Sequence, residues 1–414
     1  MKDMFRFLFS LKGNAKSCLY TEPLWGIPFN LYAPFITLYM YHLGVLDVQI
    51  GIILGVGRLL QVPMTLVGGI LTDKFGRRLT TLICDALSWS VPTLIWAFSQ
   101  NFWWFMAAAI VNATWQITAV SWECLWVDDT DESLVGPIFN WIYIAGLLAV
   151  FFAPISGYFV GIYGVVPVVR VLYLIAFVFM TAKFIILYFY STETERGKER
   201  MAAMKGVPIS SMFAGYKDVF LQVFKSKVMV QALILQGILG IVLLVNSTFF
   251  ALYATQNLHV PEAFLAYFPI LRTGIMLTFL MVIQEKLSKF KARNIIVIGL
   301  VIYISSLSWL MLAPVYNIAW IAVYVFVDAC ATAMMMPRID AIAANAIEPK
   351  ERARIRSLFN MIIVGLSSPF SFLAGVLSDM DRRLPFMLSL ILFLIMFVVV
   401  VAGGKINKRE IQTS

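Results

Sequence analysis

Apolar residues run along this chain in blocks of about 20, the length a helix needs to cross a bilayer, separated by short polar stretches. Twelve such blocks are legible, at roughly 18–42, 48–71, 79–98, 102–126, 134–161, 167–190, 228–256, 262–284, 294–313, 317–341, 355–378 and 384–402. The blocks are long and nearly uncharged, unlike the alternating ten-residue segments of an outer-membrane barrel. The pattern predicts an all-α polytopic membrane protein with twelve transmembrane helices. Only the stretch 191–227 is long enough to separate two halves. The expected organisation is a six-helix bundle over 1–190, a cytoplasmic linker over 191–227 and a second six-helix bundle over 228–414.

Composition agrees and removes other classes. Of 414 residues, 61% are hydrophobic and 13% charged, against about 25% charged in a soluble domain. Two His and four Cys without a CxxC pair give no metal site or disulfide framework, and no cofactor is expected. No P-loop is present, and no nucleophile–base pair suggests an enzyme. The net charge of +9 stops looking like a nucleic-acid signal once it is mapped. Twenty-five of the 32 Lys and Arg fall in alternate loops and the two tails, on one side, whereas the other side holds only Arg382 and Arg383. That asymmetry places both termini in the cytoplasm, with the basic loops facing anionic lipid. Within the linker, Glu193–Lys205 reads as a solvated mixed-charge run. Met212, Tyr216, Phe220 and Phe224, spaced by four, suggest an amphipathic helix lying on the inner membrane surface and tethering the halves.

The halves echo each other. Phe139-Asn140-x-Ile142 recurs as Phe359-Asn360-x-Ile362, and Arg58 and Arg272 occupy like positions in their spans. A repeated six-helix unit implies a pseudo-two-fold axis along the membrane normal and a binding site near mid-membrane. Between the second and third spans stands Gly69-Ile-Leu-Thr-Asp73-Lys-Phe-Gly76-Arg77-Arg78. This resembles the signature loop of the major facilitator superfamily, Gly-x-Leu-Ala-Asp-Arg-x-Gly-Arg-Arg. The resemblance implies two pseudo-symmetric bundles, alternating access by rocking, and a lock formed by Gly69, Asp73, Gly76, Arg77 and Arg78. Gly69 would permit close helix packing and Gly76 a sharp turn; Arg77 would pair with a carboxylate such as Asp128 or Asp129. Asp73→Asn and Gly76→Leu should then impair transport while folding is kept. The second-half loop keeps charge but loses the glycines. Asn112 stands where drug/proton antiporters of the superfamily carry an intramembrane Arg, and Ala153-Pro154-Ile155-Ser156-Gly157 only loosely matches their fifth-span element.

An intramembrane charge costs at least about 2.5–3.5 kcal/mol and is a functional-site hypothesis by default. Arg58, Arg272 and Asp328 lie near mid-depth; Glu22, Asp85, Glu123, Lys183, Arg338 and Asp340 lie nearer the basic end. Arg272 and Asp328 can pair. Arg58 has no carboxylate at its depth, so it contacts an anionic substrate or reaches Asp85 or Glu22 through a crevice and gates. Helical stripes add Asn112, Gln116 and Glu123 with Trp115 in the fourth span, Tyr324 and Asp328 in the tenth, Asn30 in the first, and Gln236 and Asn246 in the seventh. The superfamily resemblance makes these the cavity lining. Asp85, Glu123, Asp328 and Glu22 are the carboxylates available for a coupling proton. The leading expectation is a monomeric, proton-coupled secondary transporter of the cytoplasmic membrane. Its partners would be a small organic anion or amphipathic metabolite, protons and membrane lipids, with no nucleic acid. A multidrug or lipid exporter is the alternative, and a non-transporting sensor on the same fold the third reading.

Overall fold

A computed structural model describes residues 11–206, 223–346 and 352–402. Among the described residues every regular element is helical, and ten helices are long and apolar enough to cross a membrane. In chain order the elements are α1 (Gly13–Thr21), α2 (23–42), α3 (Asp47–Phe75), α4 (Arg77–Phe98), α5 (102–127), α6 (Glu132–Tyr163), α7 (Val165–Tyr190), α8 (Glu195–Ala203), α9 (Lys227–Asn257), α10 (Glu262–Val282), α11 (Gln284–Ser288), α12 (Ala292–Met311), α13 (Ile318–Asn345), α14 (Arg352–Met380) and α15 (Leu384–Ala402). Two expected spans, α2 and α5, are interrupted. Around Pro34, α2 tightens into a short 3₁₀ turn at Ala33–Phe35, and α5 breaks between Asn112 and Trp115. The first span starts at Pro23, not near residue 18, because a separate helix, α1, precedes it.

Several helix starts are fixed by the side chains their sequence offers. Asn101, Thr194, Ser226 and Asn317 accept hydrogen bonds from backbone N–H groups two or three residues on. One interruption bears on the site: α4 widens into a single π-helical turn at Ala86–Ser90, directly after Asp85.

The chain forms two compact units, Met1–Val45 with Val56–Ala214 and Leu46–Gly55 with Gly215–Ser414. The linker therefore divides between them. Its opening residues pack on the first unit, and the surface helix expected over 209–227 lies mostly outside the described residues. The first unit has an aromatic core that includes Tyr32, Phe35, Tyr39, Phe105, Trp126 and Tyr173. Leu11, Ala15, Cys18 and Leu19, at and just before α1, fill a pocket against Leu125, Trp126, Ile138 and Leu187. In the second unit Tyr253, Tyr303, Phe386 and Phe393 occupy the equivalent centre.

The first residues of α3 belong to the second unit through a small-residue crossing: a Cβ on Gly51 would stand 2.8 Å from Gly375 Cα. Asp47 ends that crossing. It accepts from Ser378 Oγ at 2.6 Å and from Arg382 Nε and Nη2 at 2.9 and 3.2 Å, a bidentate pair that keeps a buried carboxylate satisfied.

Candidate functional site

The signature loop folds as a compact charged knot in the first unit. Gly76 has φ +85, a backbone state open to glycine, and this lets α3 turn directly into α4. Arg77 is 3% exposed and reaches Asp128 Oδ2 at 2.8 Å and Asp73 Oδ1 at 3.2 Å. Arg78 donates from Nε and Nη2 to the Tyr188 carbonyl at 2.9 and 2.7 Å and lies over the Tyr188 ring, 3.9 Å from its centre. At Gly69 an added Cβ would meet nothing within 4 Å. The close approach expected there falls one residue earlier, at Gly68, whose Cβ would stand 3.2 Å from Ile117 Cα.

The residue that sequence reasoning missed is Glu193. Its carboxylate accepts from Arg77 N at 2.9 Å and Arg78 N at 3.0 Å, closing two of the open N–H groups at the start of α4. The next residues continue the attachment. Thr194 Oγ1 donates to Asp128 Oδ2 at 3.3 Å, Glu195 N donates to Asp129 Oδ1 at 3.2 Å, and Asn14 exchanges two 2.9 Å bonds with the Thr192 backbone. Glu193 and Thr194 thus clamp the signature loop, while most of the run from Glu195 to Lys205 is exposed, as expected of a solvated stretch. Glycine at position 76 is required twice, because a Cβ there would also come within 2.5 Å of Glu193 Oε2. Gly76→Leu is therefore expected to lose fold stability along with gating. Asp73→Asn, whose side chain is 29% exposed, should affect gating more selectively. Glu193→Ala, by uncapping α4, should cost about 1–2 kcal/mol. The check is thermal unfolding in detergent, in which both Gly76→Leu and Glu193→Ala should melt below wild type and Asp73→Asn close to it.

A second polar cluster lies deeper in the same unit. Lys183 of α7 is buried and donates to Glu22 Oε2 at 2.8 Å. The Trp25 and Trp122 rings flank its ammonium at 5.7 and 5.6 Å. Asp85 of α4 interacts electrostatically with the same ammonium and with the Glu22 carboxylate, and accepts from Thr118 Oγ1 at 2.7 Å. Two carboxylates and one ammonium are thereby held together inside the protein. Spacing along the sequence could not show this, since Glu22 and Lys183 are 161 residues apart. Glu123, the other carboxylate expected in this half, is exposed and outside the cluster.

The remaining first-half candidates separate by role. Arg58 is half-buried; its only hydrogen-bond partner among the described residues is Gln61 Oε1, at 3.3 Å, and it enters no ion pair there. Asn112 donates to the Ser88 carbonyl at 2.6 Å, inside the π turn of α4, so it braces the loosened backbone. Asn30 bonds back to the Gly26 carbonyl of its own helix at 2.8 Å. Gln116 is buried and Trp115 half-buried at the restart of α5.

In the second unit Arg272 donates from Nε to Asp328 Oδ2 at 2.9 Å and from Nη2 to Thr332 Oγ1 at 3.1 Å. Tyr303 interacts with both Asp328 and Asn246, and Tyr324 stacks on Phe250 at 5.7 Å. Arg272, Asn246, Tyr324 and Asp328 therefore share one neighbourhood. Gln236 does not join it and instead donates to Asp340 at 3.0 Å. The Asp328 side chain is 7% exposed and that of Arg272 34%, so losing either partner is not equivalent. Asp328→Asn leaves a partly wet cation, whereas Arg272→Gln strands a buried anion. The melting temperature should fall further for Arg272→Gln, and the double variant should recover part of the loss.

The described residues form a polytopic helical bundle with charged groups among its apolar helices. A sequence profile described as Major Facilitator Superfamily matches residues 25–368, and the chain belongs to that family. No curated protein matches the chain in sequence. Among solved structures, the nucleoside transporter NupG is 16% identical with a TM-score of 0.72, covering 96% of this chain and 100% of its own. A POT family transporter in complex with 5-aminolevulinic acid is 12% identical with a TM-score of 0.72, covering 94% and 96%. A peptide transporter POT in complex with sulfate is 14% identical with a TM-score of 0.67, covering 97% and 98%. At these identities the likeness is one of fold. The protein is a membrane-spanning secondary transporter of small molecules.

Proposed function

We propose that this transporter is proton-coupled and moves a small organic anion across the cytoplasmic membrane as a monomer, with its basic loops and termini in the cytoplasm. The observation that carries the coupling is the Glu22–Lys183–Asp85 cluster. With all three groups ionised it holds a net charge of −1 within the protein, and a buried uncompensated charge costs several kcal/mol. Binding one proton makes the cluster neutral.

Arg58 supports the anionic substrate. A guanidinium with no carboxylate partner among the described residues favours a carboxylate or phosphate, which it binds in a two-pronged geometry. Arg272, already held by Asp328 and Thr332, serves as the structural counterpart in the second unit. Solved structures of similar fold include one with 5-aminolevulinic acid and one with sulfate; the anion assignment for this chain rests on Arg58. The orientation rests on the distribution of Lys and Arg among the loops.

The test is a thermal-shift screen of purified protein with matched anionic, neutral and cationic metabolites and lipophilic drugs at two pH values. Stabilisation by an anion class, larger at the lower pH, is expected. Stabilisation by lipophilic cations alone would overturn the anion reading.

A further inference from the structure

A line of buried side-chain contacts connects the acidic cluster to the signature loop along the α4–α5 contact. Thr118 Oγ1 donates to Asp85 Oδ1 at 2.7 Å, and Ser121 Oγ, one turn on, lies 3.3 Å from the Thr118 carbonyl. Thr81 Oγ1 lies 2.8 Å from Ser121 Oγ and 2.7 Å from the Arg77 carbonyl. Arg77 closes the line on Asp128. Asp85, Thr118, Ser121, Thr81 and Arg77 are all buried. The hydroxyl of Thr81 has one proton and two acceptors in reach, so it has two arrangements available.

We infer that Thr81, Thr118 and Ser121 form a hydroxyl seam that transmits the proton load of the Glu22–Lys183–Asp85 cluster to the Asp73–Arg77–Asp128 gate. The inference rests on the proton-coupling reading above and names the residues through which that site would act. The α4 and α5 helices are joined across the seam by two side-chain bonds, Thr118 to Asp85 and Thr81 to Ser121. The first is charge-assisted while Asp85 is ionised and loses that assistance when the cluster takes a proton. The Thr118 hydroxyl then turns to a carbonyl of its own helix, as threonines in helices do. The π turn beginning at Ala86 gives α4 a point of low local stiffness next to Asp85, so a change there is taken up by the segment that ends at Arg77. The groups facing Asp85 are Lys183 from α7, Glu22 between α1 and α2, Thr118 from α5, and the thiols of Cys18 in α1 and Cys84 beside it in α4. Those facing Arg77 are Asp73, Asp128, Glu193 and Cys124. Thr81, Thr118 and Ser121 are positioning residues: none is assigned to bind substrate.

Cys124 supplies a native reporter, since it is half-buried and interacts electrostatically with Arg77, Asp128 and Asp73. In a full-length variant with Cys18, Cys84 and Cys330 replaced by Ala, the rate of Cys124 modification by N-ethylmaleimide is measured across pH and corrected for thiolate fraction. The infrared carboxyl band of the same samples is titrated in parallel. The corrected rate should change with the carboxyl band by about 5- to 150-fold, the usual span of coupling between linked sites. Ser121→Ala and Thr81→Val should abolish the change in rate while leaving the carboxyl titration in place. Thr81→Ser, which keeps the hydroxyl, should restore it. A carboxyl titration with unaltered pH dependence of labelling in both seam variants would overturn the seam and spare the cluster. Identical carboxyl titrations in the parent and its Asp85→Asn variant would overturn the cluster itself, and the seam with it.

Discussion

Asp85→Asn should uncouple transport. With the proposed coupling at one proton per substrate, the wild type should reach about tenfold accumulation for each unit of imposed pH difference. The variant carries a cluster that is already neutral, with Glu22 against Lys183, so it has no proton to bind and release. Uptake into proteoliposomes should then stop at equal inner and outer concentration, while exchange of labelled for unlabelled substrate continues. The substrate used is the anion that gives the largest thermal shift. Accumulation by the variant at the wild-type level would remove Asp85 from coupling. Lys183→Gln should do the reverse of neutralising the cluster, leaving two carboxylates together, and is expected to be the less stable protein of the two.

The second large effect is expected at Arg58. A hydrogen bond to a charged group contributes about 1.5–3 kcal/mol, so Arg58→Gln should weaken an anion by roughly 10- to 150-fold. A neutral analogue of the same shape should lose little. Calorimetric titration of both ligands against both proteins separates the cases: an equal loss for the two ligands would make Arg58 a structural residue.

What could be read in the sequence was what is local. Span positions follow from runs of apolar residues, which need no partner to be recognised. The signature loop is local too, because Asp73, Gly76, Arg77 and Arg78 lie within six residues. Pairings across the fold were not legible. Lys183 looked like one basic residue near a helix end, and only packing of α7 against the start of α2 gives it Glu22. Glu193 looked solvated because it stands in a charged run, yet backbone N–H groups at the start of α4 draw it inward. Thr81, Thr118 and Ser121 left no signal, since small hydroxyl residues are ordinary in membrane helices and can satisfy themselves within their own turn. Asn112, placed on a cavity wall by its stripe with Gln116, also donates to the Ser88 carbonyl inside the π turn, a contact that the stripe alone could not show.

The central claim is that the Glu22–Lys183–Asp85 cluster binds and releases a proton. Infrared difference spectra of the purified protein, recorded through a pH titration, test it without knowledge of the substrate. A component of the protonated-carboxyl band that grows on acidification in the wild type should be missing in Asp85→Asn, whose cluster needs no proton, while the exposed Asp and Glu titrate alike in both proteins. The same band, titrating unchanged in Asp85→Asn, would contradict it.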